Sequence, residues 1–225
     1  MRGFRQALVD DGDALSVIAE VKRRSPSKGE LAPDLDPAPL AVAYRDGGAT
    51  CLSVLTDEAF FGAQPDDLAR ARQASGLPVL RKDFTVSTRD VADTRIMGAD
   101  AVLLIVAALD DQELADFARL ADELGLDALV EVHDEGELER ALAVGADLIG
   151  VNHRDLVTFE VDTARAARLA PRMPPGTVAV AESGVRGPDD ATELRRAGFH
   201  AVLVGESLVT SAGPSAAVAA LRAAR

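Results

Sequence analysis

The chain alternates short, strongly apolar runs with longer amphipathic stretches, and it does so eight times. The apolar runs are Val17–Lys22, Cys51–Leu55, Val79–Lys82, Ala101–Val106, Ala128–His133, Leu148–Asn152, Val178–Glu182 and Ala201–Val204. Most are apolar almost throughout, as strands are when a parallel sheet is covered on one side by helices and filled on the other. The stretches between them carry helical patterns. Asp110-Asp111-Gln112-Glu113 gives an acidic first turn before the stripe Leu114, Phe117, Leu120 and Leu124, which Gly125 then stops. That stripe reads as core packing. A weaker repeat runs through Gly48-Ala49, Gly98-Ala99, Gly145-Ala146 and Gly198-Phe199, each just before an even-numbered strand, where glycine suits a helix C-cap.

Eight strands alternating with helices predict a (β/α)8 TIM barrel, an α/β fold whose active site lies at the C-terminal ends of its strands. A doubly wound open sheet is the alternative. It wants a G-x-G-x-x-G turn after the first strand, where this chain has Arg23-Arg24-Ser25-Pro26-Ser27-Lys28. Residues Arg2–Asp11 read as a short helix before strand one that plugs the barrel's bottom. No linker or low-complexity block interrupts the sequence, so 1–225 reads as a single barrel domain.

Composition removes several function classes. The formal charge of −13 repels nucleic acid and anionic membrane, so an anionic ligand must be held by a local cluster, which singles out the basic run Lys22 to Lys28. No apolar run reaches the roughly 20 residues of a membrane span, and Met1 to Asp13 lacks the apolar segment of a signal peptide. The expected location is cytoplasmic. The single cysteine, Cys51, opens an apolar run, which excludes an internal disulfide and predicts a buried inert thiol.

The chemistry lies where the strands end. Alternation puts Ile18, Glu20 and Lys22 on one face of strand one, Leu80, Lys82 and Phe84 on one face of strand three, and Leu129, Glu131 and His133 on one face of strand five. Asn152 closes strand six and Glu182 closes strand seven. In a barrel these converge, and three carboxylates with two lysines in one mouth make an acid/base site. Lys22 beside Lys82, with partial burial, predicts a lowered pKa for Lys82. Glu182-Ser183-Gly184-Val185 and Gly205-Glu206-Ser207, after strands seven and eight, have the small residues and the position of a phosphate site. The Ser-Pro-Ser-Lys-Gly composition of Arg23–Leu31 predicts a mobile loop that orders over bound ligand.

Together with Ile18-Ala19-Glu20-Val21-Lys22-Arg23-Arg24-Ser25-Pro26-Ser27, the segments Leu80-Arg81-Lys82-Asp83-Phe84, Leu129-Val130-Glu131-Val132-His133, Gly150-Val151-Asn152-His153-Arg154-Asp155-Leu156 and Ala181-Glu182-Ser183-Gly184 resemble the indole-3-glycerol-phosphate synthase family. The resemblance runs from about Val17 to the end of the chain. It implies cyclisation of 1-(2-carboxyphenylamino)-1-deoxyribulose 5-phosphate with loss of carbon dioxide and water, in tryptophan biosynthesis, with no metal or organic cofactor. It implies Lys82 as the general acid at the ribulose carbonyl and Glu131 as acid/base partner. Lys22, paired with Glu20, is implied as the grip on the substrate carboxylate and a second candidate acid. Asn152, Arg154 and Glu182 would hold hydroxyls, the phosphate side and the lysine network, and Phe61, Phe84, Leu103 and Leu156 would wall the anthranilate ring. Ser25, Ser183, Gly184, Gly205 and Glu206 would take the phosphate. A small phosphosugar substrate, a monomer and other tryptophan-pathway enzymes as partners are the corresponding expectations.

This sequence departs from the family pattern at three places. Only sixteen residues precede Val17, which predicts a less stable barrel or a more open mouth; Ala63-Gln64 replaces a common Gly-Ser; and His153 replaces a common asparagine and reads as a shell residue. Competing functions fit less well. Phosphoribosylanthranilate isomerase chemistry wants a cysteine-like base at a strand's end, whereas Cys51 begins its strand. His133, His153 and His200 lack the spacing of a metal-dependent epimerase. A catalytically silent barrel is disfavoured by the intact set Lys22, Lys82 and Glu131.

Overall fold

The computed structural model describes residues 1–12, 14–154, 161–162 and 164–224. The eight apolar runs are parallel strands: β1 (Ser16–Val21), β2 (Cys51–Leu55), β3 (Val79–Lys82), β4 (Ala101–Ile105), β5 (Asp127–Val132), β6 (Leu148–Asn152), β7 (Val178–Glu182) and β8 (Ala201–Val204). Each pairs with its neighbour in sequence, and β8 closes on β1 from Ser16↔Ala201 to Ala19↔Val204. The result is the closed (β/α)8 barrel, not the open sheet. Around it run α1 (Phe4–Asp10), α2 (Pro37–Asp46), α3 (Glu58–Phe61), α4 (Asp67–Ser75), α5 (Thr88–Ile96), α6 (Asp111–Glu123), α7 (Glu135–Ala143), α8 (Ala164–Leu169), α9 (Pro188–Arg196), α10 (Glu206–Val209) and α11 (Pro214–Arg222).

Local chemistry sets the helix ends. At the start of α6 the Asp110 side chain accepts from the Glu113 N–H while the Glu113 side chain accepts from the Asp110 N–H, a reciprocal capping box. Leu114 and Phe117 are then buried, and Leu120 and Leu124 pack partly buried against the same core. The four repeated glycines end their helices with positive φ, +93° at Gly48 and +98° at Gly198, a region that side chains with a Cβ avoid.

Strand alternation splits the core in two. Val17, Ala19, Val54, Val102, Val130 and Val151 face outward into the layer shared with the helices. Ile18, Cys51, Leu80, Leu103, Leu129 and Val180 face inward and fill the barrel. Helix α1 closes the bottom of that inner core, with Phe4 and Leu8 both buried in it. Its first turn is capped from across the barrel: Asp127 Oδ2 accepts from the N–H groups of Phe4 at 2.8 Å and Arg5 at 3.0 Å. The Cys51 thiol is likewise buried, 3.7 Å from the Phe4 carbonyl, and burial pushes its pKa up, so it stays a neutral thiol.

Three strands shift from the sequence pattern. β1 and β5 each start and end one residue earlier, and β4 stops at Ile105 because Val106 opens a 3-10 turn. The ladders end at Val21↔Val54 and Val132↔Val151, which leaves Lys22 and His133 just past the strands, at the mouth. The segment Arg23–Leu31, expected to be a mobile loop, has local strand structure. It forms a two-stranded hairpin, Arg24–Ser25 against Gly29–Glu30. The Arg23 guanidinium fixes its base by a forked contact with Asp67 and a 3.0 Å bond to the Leu35 carbonyl.

Phe4 therefore completes the inner core from outside the strands. Phe4→Ala is expected to lower unfolding free energy by about 3–5 kcal/mol, read from urea denaturation. A loss below about 1 kcal/mol would mean that the barrel bottom does not depend on this ring.

Candidate active site

At the C-terminal ends of the strands the barrel opens into a cavity of about 810 Å3. Its floor is Leu103, Ile105 and Leu203, and its polar wall is Glu20, Lys22, Lys82, Glu131, Asn152 and Glu182. Strand register brings these together, since Leu55 pairs with Lys82, Ile105 with Glu131, and Asn152 with Glu182 across adjacent strands. Arg81, the outward neighbour of Lys82, points instead at the helical shell and donates to the Asp90 carbonyl and Thr94.

Lys82 is the centre of this group. Its Nζ lies 2.8 Å from Glu131 Oε2 and 3.4 Å from Glu182 Oε2. Asn152 Nδ2 donates to Glu131 Oε1 at 3.1 Å, and His133 Nε2 approaches the same oxygen at 3.4 Å. Lys22 and Glu20 form a second pair, Nζ to Oε1 at 2.6 Å, with Ser53 Oγ 3.5 Å from Glu20 Oε2. Both groups need room, and two glycines supply it. A Cβ on Gly150 would lie 2.1 Å from Glu182 Oε1, and one on Gly205 would lie 2.2 Å from Glu20 Oε1.

The electrostatics overturn one expectation. Burial alone would lower the Lys82 pKa, but the charges of Glu131, Glu182 and Glu20 outweigh it and hold the ammonium above its ordinary range. The sequence pattern showed the two lysines and left out how closely the carboxylates approach. Burial tends to raise Glu131, yet Lys82 and His133 hold it well below the usual carboxylate range. Glu182 goes the other way. Burial, helped by the charge of Glu131 against the pull of Lys82, pushes it up to about 8. Glu131 is therefore the carboxyl that ionises more readily, and Glu182 the one that holds its proton to higher pH. The His133 imidazole, lowered by burial but raised more by Glu131 and Glu137, is pushed up to about 9.

The remaining sequence-predicted residues line the same cavity with one exception. Ser25, Phe61, Phe84, Arg154, Ser183, Gly184, Gly205 and Glu206 all border it. Leu156 lies outside the described residues. Ser25 Oγ is buried without a hydrogen-bond partner in the protein. Ser183 has φ +66°, a left-handed conformation that costs a non-glycine residue energy, and Gly184 follows at +79°. Ala63 and Gln64 are absent from the lining, whereas Phe60, which sequence reasoning passed over, borders it and meets Phe84 edge-to-face at 6.2 Å. Arg186 and Val161 were also missed; neither follows a strand in a register that alternation could flag. His153 sits in the shell as expected, with Nδ1 3.2 Å from the Ser183 carbonyl. Among the described residues no three His, Cys, Asp or Glu side chains group as a metal-binding set.

Comparison with known proteins gives one consistent result. A family model described as indole-3-glycerol phosphate synthase matches residues 1–221. The chain is 52% identical over 210 residues to the indole-3-glycerol phosphate synthase of Chlorobium luteolum, covering 93% of this chain and 80% of that one. It is 54% identical over 220 residues to indole-3-glycerol phosphate synthase 2 of Streptomyces coelicolor, covering 98% and 84%. Against the Nocardioides enzyme of the same name the figures are 56% over 203 residues, 90% and 78%. Among solved structures, thiamine phosphate pyrophosphorylase from Pyrococcus furiosus shares the fold with a TM-score of 0.69 at 16% identity, over 93% of this chain and 94% of that one. N-acetylmannosamine-6-phosphate 2-epimerase from Clostridium perfringens does so with 0.66 at 14%, over 85% and 86%.

The raised Glu182 pKa has a measurable sign. Between the ordinary value of 4.5 and about 8 the folded state holds a proton that the unfolded chain has lost, so this group makes stability fall as pH rises. Glu182→Gln keeps the shape and cannot titrate. Its stability relative to the parent is expected to improve by at least about 1 kcal/mol between pH 5 and pH 8, by urea denaturation at each pH. A flat difference would show that Glu182 is ionised in the native state.

Proposed function

Because the chain belongs to the indole-3-glycerol phosphate synthase family, whose reaction closes the indole ring of 1-(2-carboxyphenylamino)-1-deoxyribulose 5-phosphate with loss of carbon dioxide and water in tryptophan biosynthesis, we propose that Lys82 is the general acid of that ring closure. The observation that carries this is the position of its Nζ between Glu131 and Glu182 on the cavity wall, where the carboxylates keep it protonated. As the carboxylate-bearing ring carbon bonds to the ribulose carbonyl carbon, Lys82 gives its proton to the carbonyl oxygen. The carboxylate then leaves as carbon dioxide, and its bonding electrons restore the ring. The new hydroxyl departs as water with a proton from Lys22, and Glu131 takes the proton from the adjacent carbon, whose C–H electrons form the ring double bond.

In this reading Lys22, oriented by Glu20, grips the substrate carboxylate before decarboxylation and is a second candidate acid. Asn152 fixes Glu131, Arg154 lies on the phosphate side, and Glu182 tunes Lys82. Leu103 on the floor and Phe61 and Phe84 at the rim would wall the aromatic ring. The phosphate would rest on Ser25, Ser183, Gly184, Gly205 and the Glu206 backbone. The orphaned Ser25 hydroxyl and the left-handed Ser183-Gly184 turn support that end. The reading extends to a cytoplasmic monomer of one barrel domain with a small phosphosugar substrate, and no described helix is long and apolar enough to cross a membrane. Sedimentation tests the monomer.

Turnover is followed by indole fluorescence with the carboxyphenylamino substrate. Lys82→Ala should lower kcat by about 100-fold or more with KM within a few-fold; a loss below about tenfold, with chemistry rate-limiting, would remove Lys82 as the acid.

The phosphate end should behave differently, because its contacts are the same in ground and transition states. Ser25→Ala is expected to raise KM about tenfold, roughly 1.4 kcal/mol for a hydrogen bond to a charged group, and to leave kcat nearly unchanged. Equal losses in kcat and kcat/KM would place Ser25 in the chemistry instead.

A further inference from the structure

His133 lies just beyond β5, unassigned by the roles above, yet it is built into the acid/base group. Two bonds from one carboxylate hold it. Glu137, on the first turns of α7, accepts from the His133 backbone N–H at 2.7 Å and meets its Nδ1 at 3.0 Å with the same oxygen, Oε2. This fixes the ring's position and tautomer from the helical side. The other ring nitrogen, Nε2, is buried, makes no aligned hydrogen bond, and sits 3.4 Å from Glu131 Oε1. Glu131 is thus approached from two sides, Lys82 on Oε2 and His133 with Asn152 on Oε1.

We propose that His133 is a positioning residue that acts as the second cation on Glu131, keeping that carboxylate ionised and aimed at the substrate after Lys82 has given up its proton. The inference rests on the roles proposed above for Lys82 and Glu131. Its physical basis is the loss of charge during the reaction. While Lys82 is an ammonium, Glu131 has a cation at 2.8 Å. Once the proton has gone to substrate, Lys82 is neutral, and a buried carboxylate with no cation takes up a proton and ceases to be a base. A charged imidazole 3.4 Å away, itself paired with Glu137, prevents this. Glu131 on β5 and Glu137 on α7 are the carboxylates facing the ring, Lys82 on β3 faces Glu131 from the far side, and Asn152 on β6 adds an uncharged donor. The raised His133 pKa is consistent with a charged ring at neutral pH.

The test is the pH dependence of kcat in His133→Gln and Glu137→Gln, with circular dichroism as the fold control. Expected for His133→Gln is an acid limb moved up by about one pH unit or more, as Glu131 loses a cation, with kcat at neutral pH down about tenfold and KM within about threefold. Glu137→Gln, which touches His133 and not Glu131, should move the same limb in the same direction by less. Should His133→Gln fail to fold, the Glu137→Gln limb decides alone. An acid limb within about 0.3 units of the parent in the folded variants would overturn the proposal. Glu131→Gln is measured alongside: if it keeps parental turnover, the underlying assignment of Glu131 has failed, whereas its loss together with an unmoved limb sinks only the role of His133.

Discussion

A half-buried ammonium has to be neutralised where it stands, and the top of this barrel is arranged around that requirement. Lys82 comes from β3, Glu131 from β5 and Glu182 from β7, so no local segment contains more than one member of the trio. Isolated, each charge would cost several kcal/mol to remove from water. Together they shift the two carboxyls in opposite directions, Glu131 down and Glu182 up. Closure of the barrel is what holds them at 2.8 and 3.4 Å. The chemistry and the fold are therefore the same constraint seen at two scales.

That constraint reaches residues with no chemistry of their own. Gly150 and Gly205 lie where any side chain would displace Glu182 or Glu20. Gly205 thus makes room for the Glu20–Lys22 pair, and a substitution there would disturb it. The bottom of the barrel has the opposite character. Phe4 and Leu8 seal it with apolar surface, and Asp127 caps the helix that brings them in. Buried apolar side chains fill that half and the outer layer, while the upper half holds the charges, an unpartnered hydroxyl and a left-handed serine.

The mouth is built from longer segments whose positions are set from outside the strands. Arg23 anchors the hairpin that carries Ser25 by reaching Asp67 at the start of α4. At the hairpin tip Lys28 lies 3.6 Å from Glu206, at the start of α10. Phe60 and Phe84, from the segments after β2 and β3, meet at the rim. The aromatic and phosphate ends of the proposed substrate position are thus defined by contacts between loops, the least local information in the chain.

Eight strands, their inward and outward faces, the plugging helix and the convergence of Glu20, Lys22, Lys82, Glu131, Asn152 and Glu182 were all legible in the residue pattern. Period-two alternation and strand-end position are local properties, and in a barrel they fix which side chains point inside. The family segments around those residues were equally legible, and the family comparison agrees with them. How the charges interact depends on distances that exist only in the folded barrel. The sequence pattern predicted a lowered Lys82 because it showed a neighbouring lysine, whereas distances between strands far apart in sequence raise it. The same distances divide Glu131 from Glu182, two carboxylates that read alike as strand ends. Phe60, Arg186 and the clasp of Glu137 on His133 escaped sequence reasoning because they depend on the paths of loops and helices after the strands, which no periodicity encodes.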